Sequence, residues 1–445
     1  MKPCGPGALL LAVTLLSSGA LLADDWPQWL GPRRDGVWRE TGVLDKFPVG
    51  GPKVLWKQPV GGGFSGPAVA EGRVYVMDRT GAKLGKGKES AGKDGLASKE
   101  RVLCFAAADG KLLWKHEYDC TYRVLYPSGP RATCAVAGGK VYALGTMGDL
   151  HCLDAAKGDV LWRKSLPELG KTKPPVWGYA SHPLVDGDLV YTLAGGDNSA
   201  VIALDKDTGA VRWQALTVKE VGYAPLMIYT AGGKRQLIAW HTEAIAGLDP
   251  ATGKTYWSQA FPDGEPERPG ISVAAPRLEN DFLFVSSPHH GSLMLRLGKD
   301  KPGAEVVWKG KSREVGRPDG LHSLMGAPVL QGGHVYGVCN FGELRCLKAD
   351  TGQRLWEHPT VERKALGPTT FLVPHGDRFF LFDDQGDLII ARLTPKGYEE
   401  LDRAHVIEPT LHSRGRDVVW CHPAFALSCL FVRNDEELVC VSLAN

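Results

Sequence analysis

The sequence predicts an all-β fold, an eight-bladed β-propeller of four-stranded blades. Three observations predict it. A strand–turn–strand phrase with a fixed Gly-to-Trp spacing recurs along the chain, a second strand pair precedes each copy, and the two chain ends supply complementary parts of one unit. The first phrase reads VLCFAAADGKLLW, LHCLDAAKGDVLW, VIALDKDTGAVRW, IAGLDPATGKTYW and LRCLKADTGQRLW, ending at Trp114, Trp162, Trp213, Trp257 and Trp356. Each of these Trp residues follows a glycine at a constant distance, with Gly110, Gly158, Gly209, Gly253 and Gly352 in that position. A version one residue longer ends at Trp308, and another has Gly397 with Leu401 in the Trp position.

Each copy has the pattern of a β-hairpin. Alternating apolar residues mark strands with one buried face. The D-x-x-T-G turn suits a type I turn closed by glycine in the left-handed conformation. The second phrase runs from a Pro or small residue through an apolar pair and a turn to Val-Tyr or its equivalent, as in GPAVAEGRVYV from Gly66 and GAPVLQGGHVYGV from Gly326. Its starts lie roughly 40 to 55 residues apart, the period of propeller blades. The two phrases together make four strands, one blade. The last unit ends at ELVCVSLAN without its Trp strand, and PKVLWKQPV near the N-terminus offers an orphan strand with Trp56. Residues 52–61 are therefore expected to complete the blade of residues 422–445, a closure that removes exposed sheet edges.

Bulk properties narrow the function classes. Across 445 residues the net charge is +2, which gives no electrostatic case for a nucleic-acid partner. The one basic stretch, residues 80–100, reads as a solvated, flexible loop. Lys2, the apolar run Ala8–Leu16 and the small residues after it read as a secretory signal over residues 1–23, cleaved after Ala23 or Ala20. The run is short for a membrane span, and no Cys follows it to carry a lipid. The expectation is a periplasmic or extracellular monomer with no integral membrane segment in the mature chain. Residues 24–51 form an N-terminal extension whose place, over the channel or outside it, the sequence leaves open, and residues 52–445 form the propeller. Nine cysteines remain after residue 23, an odd number that cannot all pair internally; they read as buried thiols, with a few disulfides left open by an oxidising compartment and Cys429 and Cys440 placed to face each other across a hairpin.

The A-x-D-x-x-T-G-x-x-x-W pattern resembles the repeat of the PQQ-binding-like propellers, the family of the quinoprotein alcohol dehydrogenases and of the outer-membrane assembly lipoprotein. The phrases DDWPQWLGPRRDG from Asp24, GPRAT at Gly129 and WGYASHP at Trp177 resemble secreted planctomycete members. The likeness covers essentially the whole mature chain. It implies that Trp56, Trp114, Trp162, Trp213, Trp257, Trp308 and Trp356 pack between neighbouring blades and stack no cofactor.

In a propeller the loops entering each first strand converge on one mouth of the central channel. Here they hold Tyr126, Arg131, Trp177, Tyr179, His182, Tyr223, Arg268, His322, Arg416, Trp420 and His422. Aromatics with arginines and histidines suit a planar anionic ligand, by stacking and charge-assisted hydrogen bonds. The resemblance implies that a catalytic quinoprotein would carry an adjacent Cys-Cys pair, a calcium set, a catalytic Asp and long insertions. No Cys-Cys pair is present, no calcium set can be assigned, and no insertion exceeds residues 80–100. His289-His290, DDQGD from Asp383 and GGDNS from Gly195 read as strand and turn chemistry, and no metal site is assigned. The expectation is a non-catalytic binding or scaffold propeller without cofactor or metal, whose partner is an envelope protein or a small-molecule or glycan ligand. The alternative is a PQQ- and calcium-dependent quinoprotein dehydrogenase, and a third reading makes His182 and His422 an acid–base pair.

Overall fold

The computed structural model describes Met1 and residues 24–81, 95–262, 270–310, 319–359 and 367–445. The expected signal segment, apart from Met1, lies outside the described residues. Eight four-stranded antiparallel sheets follow one another as blades of a propeller. Blade 1 runs from Ala68 to Tyr122, blade 2 from Ala135 to Ser165, blade 3 from Leu184 to Ala215 and blade 4 from Met227 to Ala260. Blade 5 runs from Arg277 to Lys309, blade 6 from Val329 to Pro359 and blade 7 from Thr370 to His405. Blade 8 takes three strands from Ala424–Ser442 and its fourth, Val54–Pro59, from the N-terminal side. That strand pairs Trp56 with Cys440, so the ring closes as the repeat pattern requires.

Two details depart from the sequence reading. Residues 96–101 of the basic stretch are strand, because Leu96–Ala106 pairs along its whole length with Leu112–Tyr122, while residues 82–94 lie outside the described residues. Cys429 faces Ser442 and Cys440 faces Phe431, so the two thiols are diagonal neighbours; the register puts them two residues out of step. All nine cysteines from Cys104 to Cys440 are buried and free.

The Gly and Trp of the repeat meet between blades. Trp114 sits on the fourth strand of blade 1, and its indole N–H donates to Ala155 O of blade 2 at 3.1 Å. Trp162 donates to Lys206 O of blade 3 at 3.0 Å, and Trp213 to Pro250 O of blade 4 at 3.1 Å. Trp308 reaches Ala349 O, Trp356 reaches Thr394 O, and Trp56 of the closing strand reaches Ala107 O of blade 1, at 2.7, 2.8 and 2.9 Å. A Tyr on the second strand doubles the contact: Tyr75, Tyr142 and Tyr191 donate to the carbonyls of Ala155, Lys206 and Pro250. The same turn presents its glycine to the ring. A Cβ at Gly158 would lie 2.5 Å from the Trp114 indole, and one at Gly253 would lie 2.5 Å from Trp213. A register slip beside each Trp, as at Cys104/Phe105 and Cys152/Leu153, leaves one residue unpaired and turns the ring toward the neighbouring blade.

Trp257 is the exception. The next turn carries one residue more, and Trp257 donates instead to Gln236 Oε1 of its own blade at 2.7 Å. Each packed indole removes roughly 150–250 Å² from water, worth about 4–6 kcal/mol as an upper bound at about 25 cal/mol per Å².

The interlock makes a discriminating prediction. Gly158 (φ +79°) lies against the Trp114 ring, whereas Gly187 (φ +58°) has nothing within 4 Å of its missing Cβ. Gly187→Ala should cost about 1–2 kcal/mol from backbone strain alone. Gly158→Ala should cost about 1–3 kcal/mol more from overpacking. Denaturant unfolding measures both, and equal losses would refute the inter-blade contact.

Candidate functional site

Residues 24–40 lie across the channel at its far end and touch the inner strands. Trp26 N donates to Val69 O of blade 1 at 2.8 Å and Val69 N donates back at 2.9 Å. Val136 N donates to Pro27 O, and Trp38 N donates to Pro374 O of blade 7. Arg34 donates to Pro183 O of blade 3 and Leu226 O of blade 4, at 3.2 and 3.1 Å, while its own carbonyl accepts from Arg277 of blade 5. Glu40 accepts from Ser428 N and Oγ of blade 8. Trp26 and Trp38 are buried as thoroughly as core residues, at 2% and 1% exposure. The extension therefore plugs the channel.

Trp29 is the inward face of that plug. Its ring stacks on His182 at 4.7 Å and tilts against His422 at 5.7 Å. Above it stands a cavity of about 180 Å³ lined by the entry loops of the blades. Phe64 and Gly66 come from blade 1, Arg131 and Thr133 from blade 2, Ala180 and His182 from blade 3, and Tyr223 and Pro225 from blade 4. Val273, Leu324 with Met325, Phe371, and Trp420 with His422 represent blades 5 to 8 in turn. Trp177 stacks on Tyr223 at 4.9 Å, and Tyr126 stands edge-on to both Trp177 and Trp420. Tyr126 holds a left-handed backbone, φ +52°, a strained conformation of the kind that clusters at binding sites.

The structure brings together Tyr126, Arg131, Trp177, His182, Tyr223, Trp420 and His422 from the sequence-derived set. Three others are elsewhere. Tyr179 turns back toward blade 2, where Gly148 leaves room for its ring, and donates to Ala194 O. His322 is fully buried, with Nδ1 facing Pro288 O at 3.3 Å. Arg416 forms a two-pronged pair with buried Asp384, at 3.0 and 2.7 Å, which pins the hairpin Leu411–Val418 beside the funnel. A shared loop does not mean a shared direction, and only side chains leaving toward the axis reach the cavity. Arg268 lies outside the described residues. The sequence reading missed Phe64, Thr133, Leu324, Met325, Phe371 and Arg414 because it favoured ionisable and aromatic types in only some loops. Trp29 carried no repeat signal.

The polar groups behave unlike the anion-binding set the composition suggested. Arg131 spends its donors on the protein: Nε on Trp177 O at 2.7 Å, Nη1 on Gly129 O, and Nη2 on Tyr126 O and Leu125 O. Burial pulls its pKa down to about 10, with Tyr122 and Glu100 countering, so it stays charged. The guanidinium also lies 4.9 Å from the Phe64 ring centroid. His182 accepts from Thr133 N at Nδ1, 2.8 Å, which places its proton on Nε2. His422 faces Pro423 O through Nδ1 at 2.8 Å; a carbonyl only accepts, so its proton sits on Nδ1 and its Nε2 lone pair is left. Burial holds both imidazoles neutral: His422 is lowered to about 4, and His182 well below its usual value by burial, then by Arg34 and His422.

PQQ is a tricarboxylate, and its calcium partner needs hard oxygen ligands. Among the described residues the cavity lining has no carboxylate, and no His, Cys, Asp or Glu cluster is arranged for a metal. Without a carboxylate in the described lining to hold calcium, the donor set does not fit that pair. Asp383 of the DDQGD segment accepts from Gln385 N and Asp387 N, which is turn chemistry.

The neutral histidines set an acid limit. Burial lowers His241, His322 and His422 to about 4 and His151 to about 3. The unfolded chain takes up these protons near pH 6.5, the ordinary histidine value, and the folded chain near pH 4. Stability is thus complete above about pH 6.5 and falls as pH drops toward 4, by about 1.4 kcal/mol per pH unit for each histidine. Asp383, raised by burial to about 6, works in the opposite direction below that pH, one group against these four histidines together with His182 and His116, which burial also lowers. Thermal unfolding midpoints should fall steadily between pH 6.5 and 4, and a flat profile there would contradict the buried neutral state.

Residues 98–358, more than half of the chain, match the family described as outer membrane protein assembly factor BamB. The chain is 26% identical over 245 residues to outer membrane protein assembly factor BamB of Burkholderia pseudomallei, covering 54% of this chain and 58% of that relative. With the protein of the same name from Xanthomonas campestris pv. campestris it is 28% identical over 364 residues, 71% of this chain and 82% of the relative. The solved structure of BamB from Moraxella catarrhalis aligns with a TM-score of 0.53 at 16% identity, over 82% of this chain and 99% of that one. A computationally designed protein, Ika8, aligns with a TM-score of 0.55 at 11% identity, over 88% of this chain and all of its own. At these identities the structural likeness speaks to the fold alone. The chain belongs to the PQQ-repeat propeller family described as outer membrane protein assembly factor BamB.

Proposed function

We propose that this chain is an exported, non-catalytic binding protein of the bacterial envelope whose ligand enters the blind funnel above Trp29. One observation carries the reading. The channel, open in a bare propeller, is closed by the protein's own N-terminal extension, and the closure leaves an aromatic pocket of about 180 Å³ lined by side chains from all eight blades. An apolar cavity with few convergent polar groups is the usual form of a small-ligand site. The envelope setting is supported by the signal-like residues 1–23 and by the names of the relatives, and no helix among the described residues is long and apolar enough to cross a membrane.

The cavity is slightly larger than an engineered space of about 150 Å³ that accepts benzene. Phenol should therefore bind saturably in saturation-transfer NMR. Ala180→Trp, which fills the pocket from the wall, should abolish the signal. Failure of phenol to bind, or binding indifferent to that substitution, would remove the pocket reading. A dye-reduction assay with PQQ, calcium and simple alcohols should show no turnover, and alcohol-dependent reduction would replace the proposal with a quinoprotein dehydrogenase. Secretion through the signal should give a mature mass that starts at Asp24 or, with cleavage after Ala20, at Leu21; an uncleaved chain would refute the export assignment.

A further inference from the structure

The apolar surface of the funnel continues past its cavity. Leu125 and Val176 precede the lining residues Tyr126 and Trp177 in the chain, and they stand 39% and 51% exposed. Their two loops are fastened together as a lip. Leu125 N donates to Val176 O at 2.9 Å, and Arg131 donates to Leu125 O at 3.0 Å and to Trp177 O at 2.7 Å. A lip fixed in advance lowers the ordering cost of association. A single ring of the size of phenol fills a cavity of about 180 Å³ and leaves Leu125 and Val176 in water. Covering them takes an occupant that continues out of the cup. A peptide with an aromatic side chain does so, with its ring in the cavity and its flanking backbone on the lip. A buried aromatic anchor ringed by weaker contacts is the common anatomy of a protein interface.

Charge selects among peptides. Arg131 and Arg414 line the cavity. On the two loops of the lip, Arg123 and Lys173 are exposed, and neither forms an ion pair among the described residues. The carboxylates of the neighbouring loops are engaged by the protein itself. Asp384 is paired with Arg416, Asp435 accepts from Gly63 N and Ser128 Oγ at 2.9 and 2.7 Å, and Glu220 accepts from Tyr223 OH at 3.2 Å. A segment lying on the lip therefore meets unpaired positive charge. Acidic side chains beside the aromatic residue are attracted there, and basic ones are repelled.

We infer that the funnel and its lip bind an acidic peptide segment of a partner protein, through one aromatic residue seated in the cup. The inference rests on the proposed binding role of the same pocket. The test is calorimetric titration of the mature protein with an acetylated, amidated pentapeptide that has phenylalanine between two pairs of glutamates. Phenol reports the cup alone. The peptide should bind with saturation, displace phenol, and bind at least roughly tenfold more tightly than phenol. Alanine in place of its phenylalanine should weaken it by at least roughly tenfold. Glutamines in place of the glutamates should weaken it by roughly threefold and lysines by more, and the difference between glutamate and glutamine peptides should vanish in about 1 M salt. Val176→Ser, and Arg123→Gln combined with Lys173→Gln, should each weaken the glutamate peptide by roughly threefold. Phenol affinity should hold in these variants, since none of the three residues lines the cavity. Phenol binding without any gain from the peptide overturns the inference and leaves the pocket to a free small ligand. Equal affinity for glutamate and lysine peptides, or wild-type peptide affinity in the lip variants, also overturns it. Failure of both phenol and peptide removes the pocket reading as well.

Discussion

The interlock of one blade's tryptophan with the next blade's turn is the contact on which the structure rests. A single four-stranded sheet buries little, so each blade is stable only against its neighbours. Here the neighbour supplies a carbonyl for the indole N–H and a glycine that lets the ring lie flat on its backbone. The glycine serves two needs at once, a left-handed turn within its own blade and close approach to the preceding one. Because Val54–Pro59 carries such a tryptophan into blade 8, the ring closes with the same contact that joins blades 1 to 4 and 5 to 7.

Closure creates a channel, and the N-terminal extension decides what the channel becomes. Arginine and backbone hydrogen bonds tie residues 24–40 to the inner strands of several blades. Trp29 thereby turns a tube into a cup and sets two neutral imidazoles at its floor. The rim is held by separate devices: Arg131 gathers four loop carbonyls, and the Arg416–Asp384 pair holds the hairpin that leads to Trp420. Both arginines organise the walls of the cavity.

Part of the candidate site was legible in the sequence. Trp177, His182, Tyr223, Trp420 and His422 stand in loops whose place follows from the repeat, so their convergence on one cavity can be read in advance. Their chemistry cannot. Arg131 looks like an anion receptor in one dimension and is a backbone clamp in three, because its donors find carbonyls closer than any ligand. Tyr179 and His322 share the same loops and point elsewhere, since irregular backbone has no fixed alternation to reveal direction. Trp257 shows the same limit within the repeat, where one added residue in the next turn moves the expected carbonyl out of reach.

The sequence by itself determined the number of blades, the four strands of each, the Gly–Trp pairs and the strand that closes the ring. Those features follow from period, alternation and turn chemistry, all local properties that one dimension records. Only the tertiary structure decided that residues 24–40 plug the channel, that Trp29 floors a cavity, and which side chains reach it. These outcomes depend on non-repeated contacts between residues far apart in the chain, as between Arg34 and Leu226 or Glu40 and Ser428, and no periodicity encodes them.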